Sequence, residues 1–158
     1  MKKVRTLMAL AIVMMLAGCA STNTGFLSVG NVSNTECQRG TRAVTRPEPM
    51  LRLTMLGNNI NGDFIDYPAN CDGEIGVSCR QEGPKFDIKV TQTQDEGEIG
   101  TYCSCSVNIY FTVYNIEGEN FHLIVNDKDI GNVSFKESSI VEINLWTKEV
   151  KYGISGDV

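Results

Sequence analysis

Six cysteines, one histidine and nineteen carboxylates hold most of the chemistry open to this chain of 158 residues. One imidazole cannot build a zinc site that needs two or three. Any Ser-His-Asp or Cys-His arrangement would have to use that same residue, His122. Alternation in the segment around it points His122 away from Phe121 and Leu123, exposed on a strand. No Gly-x-Ser-x-Gly segment is present to lift a nucleophile. Asp127-Lys128-Asp129-Ile130-Gly131 opens like a calcium loop. It then places Gly131 where an oxygen ligand belongs, Asn132 where glycine belongs and Ser138 where the closing glutamate belongs, so a hairpin turn is the better reading. Asp72 with Glu74, and Asp95 with Glu98, fall in loops, where carboxylates solvate a surface. Glycoside hydrolysis would need two carboxyls held across a cleft. The expectation is a protein that is not an enzyme, with no cofactor and no metal site.

The cysteines are more informative, starting with Cys19. Lys2, Lys3 and Arg5 make a positive start, and Thr6 to Leu16 is an apolar run of eleven residues. That length suits a secretory signal and is too short for the roughly 20 residues of a membrane-spanning helix. It ends in Leu16-Ala17-Gly18-Cys19, which resembles the bacterial lipobox, with small residues before the cut and cysteine after it. The resemblance implies a signal peptide over residues 1–18 and a diacylglyceryl cysteine at Cys19, usually with a third, palmitate-type chain on its new amino group. Each buried methylene contributes about 0.8 kcal/mol, so two or three chains hold a protein on a membrane stably where one is marginal. Ala20 in place of an aspartate resembles default sorting to the outer membrane, and Ser21-Thr22-Asn23-Thr24 lacks the acidic cluster of a surface-export signal. This favours the periplasmic side, with surface exposure the alternative.

Removing residues 1–18 leaves 140, enough for one domain with a core and too few to expect two. Eleven Lys and Arg then face nineteen Asp and Glu, a formal net charge of −8. Such a domain repels nucleic acid, and no basic cluster offsets it; Arg39, Arg42 and Arg46 stand in a polar stretch ahead of Pro47 and Pro49. No nucleic-acid partner is expected. Residues 19–49 are rich in Ser, Thr, Asn and Gly without sustained periodicity and read as a tether that lifts the domain off the membrane, closing as an edge segment near Phe26 to Val29.

From Met50 the pattern becomes strand-like. Met50 to Leu56, a turn at Gly57-Asn58-Asn59, and Ile60 to Ile65 read as a hairpin. Tyr67 to Pro84 reads as a long connection holding a short strand at Ile75 to Cys79, followed by Lys85 to Thr93 and a turn at Asp95 to Glu98. The clearest element is Tyr102 to Tyr114. Cys103, Cys105, Val107, Ile109, Phe111 and Val113 take one face, and Tyr102, Ser104, Ser106, Asn108, Tyr110, Thr112 and Tyr114 the other. A strict period of two buries one side of a strand and excludes a helix. Phe121 to Val125, Asn132 to Phe135, Ser139 to Trp146 and Val150 to Ile154 continue as a meander. About seven short strands and no helical stretch predict an all-β fold over residues 50–158, an antiparallel immunoglobulin-like β-sandwich, with a small β-barrel as the alternative.

On that framework the other cysteines become a pairing problem. An exported protein meets an oxidising compartment, where thiols become disulfides. Five remain, so at most two bridges close within the chain. Cys103 and Cys105 lie at i and i+2 on one strand, roughly 6.5–7 Å apart with parallel side chains, and are poor partners for each other. Each is expected to reach a loop cysteine, Cys71 or Cys79, in either combination, leaving Cys37 unpaired. A zinc site from the same four is the rival, but it lacks short Cys-x-x-Cys pairs.

The run Tyr102-Cys103-Ser104-Cys105-Ser106-Val107-Asn108-Ile109-Tyr110-Phe111, with Ala69-Asn70-Cys71 before it and Asn115-Ile116-Glu117-Gly118 after it, is similar to small lipoproteins of gut Bacteroidetes over residues 50–135. The resemblance implies a β-sandwich domain in the cell envelope and no particular activity. Two roles fit: a non-catalytic module that contacts an envelope protein, and a glycan-binding module. For the second, Tyr110 and Tyr114 on the polar face of the long strand, with Tyr102, and Trp146 beside Glu142 and Asn144, offer flat rings next to polar groups.

Overall fold

The computed structural model describes residues 25–37, 48–70, 73–93 and 104–153. Cys19, Cys71, Tyr102, Cys103, the turn at Asp95 to Glu98 and the Arg39, Arg42 and Arg46 stretch lie outside them. The described residues form an all-β sandwich of two packed sheets that does not close into a barrel.

The described residues hold ten strands: β1 (Ser28–Asn34), β2 (Met50–Leu56), β3 (Asn59–Asn70), β4 (Ile75–Glu82), β5 (Lys85–Gln92), β6 (Ser104–Tyr114), β7 (Asn120–Val125), β8 (Lys128–Ser134), β9 (Ile140–Asn144) and β10 (Val150–Tyr152). One sheet has the order β1-β6-β3-β2-β9-β10 and the other β4-β5-β7-β8. Three more strands appear than the seven expected. One of them, and the extension of an expected one, come from stretches read as tether or loop. The segment before Pro49 supplies β1, and β3 runs on past Ile65 to Asn70 through a bulge at Asp66 (φ 54°), so that Tyr67 pairs with Val107 and Ala69 with Cys105.

The meander is also corrected. Only β7–β8 and β9–β10 pair as sequential neighbours in that half, while β8 and β9 belong to different sheets. The pairing of β5 with β7 is parallel, because β6 intervenes in sequence but lies in the other sheet. Turn chemistry accounts for the short connections. Gly57 (φ 63°) opens the two-residue β2–β3 turn. Asn126 and Asp127 (φ 49° and 62°) make the β7–β8 turn, the doubly positive backbone that a tight hairpin favours. The chain resumes as strand at Lys128, so only the start of the calcium-like run is turn.

The core lies between the sheets. Leu51, Leu53, Ile60, Phe64, Ile109, Phe111, Val113, Val141 and Ile143 face Cys79, Phe86, Ile88, Phe121, Leu123 and Val133. Gly62, in mid-strand, exists to admit a ring: a Cβ there would meet Phe111 Cζ at 2.1 Å. Phe111 in turn stacks on Phe64 with centroids 5.7 Å apart.

The disulfide prediction fails for Cys37, for Cys79 and for Cys105, expected to reach Cys71 or Cys79. Cys37, expected to stay unpaired, is bonded to Cys105, with Cα atoms 5.6 Å apart. Cys79, expected to reach a strand cysteine, is a free thiol at 2% exposure. Register explains both. Because Asn34 pairs with Ile109 and the Thr35 amide donates to the Asn108 carbonyl, antiparallel progress carries Cys37 to within one position of Cys105, close enough for their Cα atoms to stand 5.6 Å apart. Cys79 pairs with Ile88, and both point into the interior. The short strand expected at Ile75 to Cys79 is present within β4, and it buries Cys79 in the core instead of leaving it free to bridge.

Candidate binding surface

Strand register gathers a polar row on the outer face of the six-stranded sheet. Ser33 pairs with Tyr110, Tyr110 with Asp63, Asp63 with Arg52, Arg52 with Glu142 and Glu142 with Lys151, six strands in one line. Tyr110, Asp63, Arg52 and Glu142 each stand between buried neighbours in their strands, and the middle of the row is therefore forced outward. Arg52 donates to Glu142 Oε1 at 2.8 Å from Nε and lies 2.8 Å from the same oxygen through Nη2. Partial burial pushes the Asp63 carboxyl above its usual range, with the Arg52 guanidinium beside it pulling the other way. Tyr110 stands at the end of these charges, 40% exposed.

The three aromatic residues read as a glycan platform do not lie together. Tyr114 is on the same face of β6 as Tyr110, four residues along, roughly 13 Å away. Its ring crosses the backbone of Gly30, where a Cβ would stand 3.0 Å from it, and its hydroxyl accepts from Asn31 Nδ2 at 3.1 Å. Asn31 (φ 53°) sits where the β1–β6 register slips, so β1 folds over Tyr114 and occupies its polar end. Thr112 next to it donates to Asn61 Oδ1 at 3.1 Å. Trp146 is 53% exposed but has left the strand: it lies in the turn after β9, where Asn144 Oδ1 accepts from the amides of Trp146 and Thr147. Three strand spacings, roughly 14 Å, separate β9 from β6. Only Tyr110 retains a free face beside charged groups.

On the outer face of the other sheet, the His122 ring is held at both nitrogens. Nδ1 lies 3.2 Å from Asn132 Oδ1 and Nε2 lies 3.1 Å from Asp129 Oδ1. A general base needs one nitrogen free toward a substrate proton. The neighbouring Ser134 hydroxyl donates to Asn120 Oδ1 instead. Cys79, the buried thiol, is pushed up to about 12 by burial and by the Asp87 carboxylate. A thiol so protonated is a poor nucleophile. Among the described residues, no three His, Cys, Asp or Glu side chains come together as a cation site.

A shallow groove of about 250 Å³ lies where the chain enters the domain, lined by Gly25, Phe26, Leu27, Gln81, Glu82, Gly83, Asn115 and Glu117. Sequence reasoning missed it because its wall comes from the supposed tether. Gly25 accepts from the Gln81 amide, and Leu27 donates to the Cys79 carbonyl at 2.9 Å, which docks this short segment on the β4 edge before β1 crosses to β6. The Gln81 side chain accepts from the Glu117 amide at 3.0 Å and donates to its carbonyl at 2.6 Å, fixing the far wall. Phe26 is 65% exposed, with the Arg80 guanidinium 5.6 Å from its ring centroid.

The chain matches no family model, no curated protein and no solved structure.

Proposed function

We propose that this chain is a lipid-anchored lipoprotein of the bacterial cell envelope, carried to the outer membrane, whose sandwich domain acts as a non-catalytic binding or interaction module. The observation that carries the reading is Leu16-Ala17-Gly18-Cys19 behind a basic start and an eleven-residue apolar run. The disposition of the polar groups supports the second half. His122, Gln81, Asn126 and Asn144 all spend their hydrogen bonds on the fold itself. The membrane is the first partner, through acyl chains on Cys19, and an envelope protein the second. Mass spectrometry of the purified chain tests the anchor: wild type carries diacylglyceryl and acyl mass on Cys19, and Cys19→Ser accumulates as unprocessed or mislocalised precursor. Wild-type protein found soluble in the periplasm without acyl mass refutes the reading.

One observation favours a glycan as the ligand. Tyr110 presents a ring at the end of the Asp63–Arg52–Glu142 row, and a ring beside alternating charges suits a sugar, which stacks by its apolar face and bonds by its hydroxyls. Glycan-array binding by wild type that is lost in Tyr110→Ala and kept in Trp146→Ala fits this placement. No glycan retained by wild type removes it.

A further inference from the structure

The two ends of the sandwich differ in how far they can stand from the membrane. Gly25 is already bonded to Gln81, so only residues 20–24 separate Cys19 from the folded domain. Whatever path they take, the six steps from Cys19 to Gly25 reach at most about 20 Å. This replaces a tether of some thirty residues by one too short to let the domain turn over, since β6 alone, with eleven residues, runs roughly 34 Å from end to end.

Register states which end the leash holds. Phe26 pairs with Arg80, Ser28 with Tyr114, Glu82 with Lys85 and Leu56 with Asn59, so the entry segment and the β2–β3 and β4–β5 turns share one end. Asn58 Nδ2 reaches Asn115 Oδ1 at 3.4 Å and ties the β6–β7 loop to it. Of the large exposed apolar side chains, Phe26 at 65% and Leu56 at 56% stand here. Trp146 stands at the opposite end, two residues beyond the Met50–Asn144 pair. Glu82, Glu117, Glu119 and Glu137 are exposed at the near end against Arg80, Lys85 and Lys136, with Arg80 paired to Glu82, so this end has no basic excess to draw anionic headgroups.

We infer that, given acylation of Cys19, the domain stands end-on with Phe26 and Leu56 against the zwitterionic surface of the bilayer, so that the groove beside Phe26 is membrane-proximal and the Trp146 turn faces away. An aromatic ring and a leucine at the headgroup level suit an interface that is part apolar and part wet.

The test uses the chain's single tryptophan. Full-length acylated protein is placed in phosphatidylcholine vesicles containing a headgroup-nitroxide phospholipid, as wild type and as Phe26→Trp in a Trp146→Phe background. Trp146 emission should be nearly unaffected, and the residue-26 indole quenched several-fold more strongly. A Gly-Ser spacer of about 20 residues between Thr24 and Gly25, adding roughly 25 Å of mean reach, should abolish that quenching. Acyl mass on Cys19 is checked on the same samples. Its absence overturns the anchored reading and this inference together. With acyl mass present, equal quenching of both indoles, or of neither, overturns the end-on stance alone, and quenching that survives the spacer overturns the leash as its cause.

Discussion

β6 and β1 lie side by side in one sheet and are built on opposite terms. β6 is paired on both edges, and Cys105, Val107, Ile109, Phe111 and Val113 are all buried beneath it. β1 is paired on one edge only, and none of its seven residues is buried. The first is held by side chains, the second by backbone hydrogen bonds, by the Asn31 contacts over Tyr114 and by the bridge that follows it at Cys37. A strand can thus be specified from within, by its own alternation, or from without, by an edge that needs covering. β6 is the first kind. Its long edge would otherwise offer unpaired amides and carbonyls to any other chain.

The sharpest way to break the comparison is to damage each strand in turn. Phe111→Ala removes a ring that fills the space over Gly62 and stacks on Phe64. It should cost about 3–5 kcal/mol, a large part of the 5–15 typical of a domain. Val32→Ala in β1, at 39% exposure, should cost under about 0.5 kcal/mol. Urea unfolding monitored by circular dichroism decides this, and equal losses would show that β1 is packed, not merely paired.

Next in size is the bridge. The cysteines of the Cys37–Cys105 disulfide are 68 positions apart, and the chain-entropy model assigns such a loop about 4 kcal/mol, an upper figure. Cys37→Ala with Cys105→Ala should lower stability by less than that, and its signature should be local. Amide exchange along Ser28–Asn34 should accelerate well before that of β3. Uniform acceleration across both sheets would mean that the bridge holds the whole sandwich and not its edge strand.

The smallest effect at neutral pH belongs to Cys79, whose thiol is raised by burial from 9.0 to about 12. The folded state keeps the proton that the unfolded state loses. Its contribution is therefore complete below about pH 9 and is lost as pH rises toward 12, at about 1.4 kcal/mol per pH unit. Cys79→Ala should flatten that alkaline decline and leave stability near pH 7 lower by a small cavity cost of about 1 kcal/mol. Native Cys79 should also resist alkylation at pH 8 and react only on unfolding. Rapid native labelling would move this thiol out of the core.

Elements with a strong internal period were legible from the residues alone. The six apolar residues of Cys103 to Val113, the Phe86-Ile88-Val90 face and the Val141-Ile143 face each imply a strand and the side that is buried, because side chains alternate whatever the partner. The all-β class follows from them, and so does the polar character of Tyr110, Asp63, Arg52 and Glu142. Their assembly into one row does not, since it depends on four strand registers and on which strands are neighbours. The same applies to the misread cysteines. Spacing excluded a bridge between Cys103 and Cys105, but the partner of Cys105 was settled by β1, whose exposed residues carry no alternation to detect. Trp146 was lost from the proposed platform because Asn144 caps a turn two residues before it. Alternation is a property of one strand and survives in the sequence. Pairing is a property of two, fixed only when both sheets close on a common core.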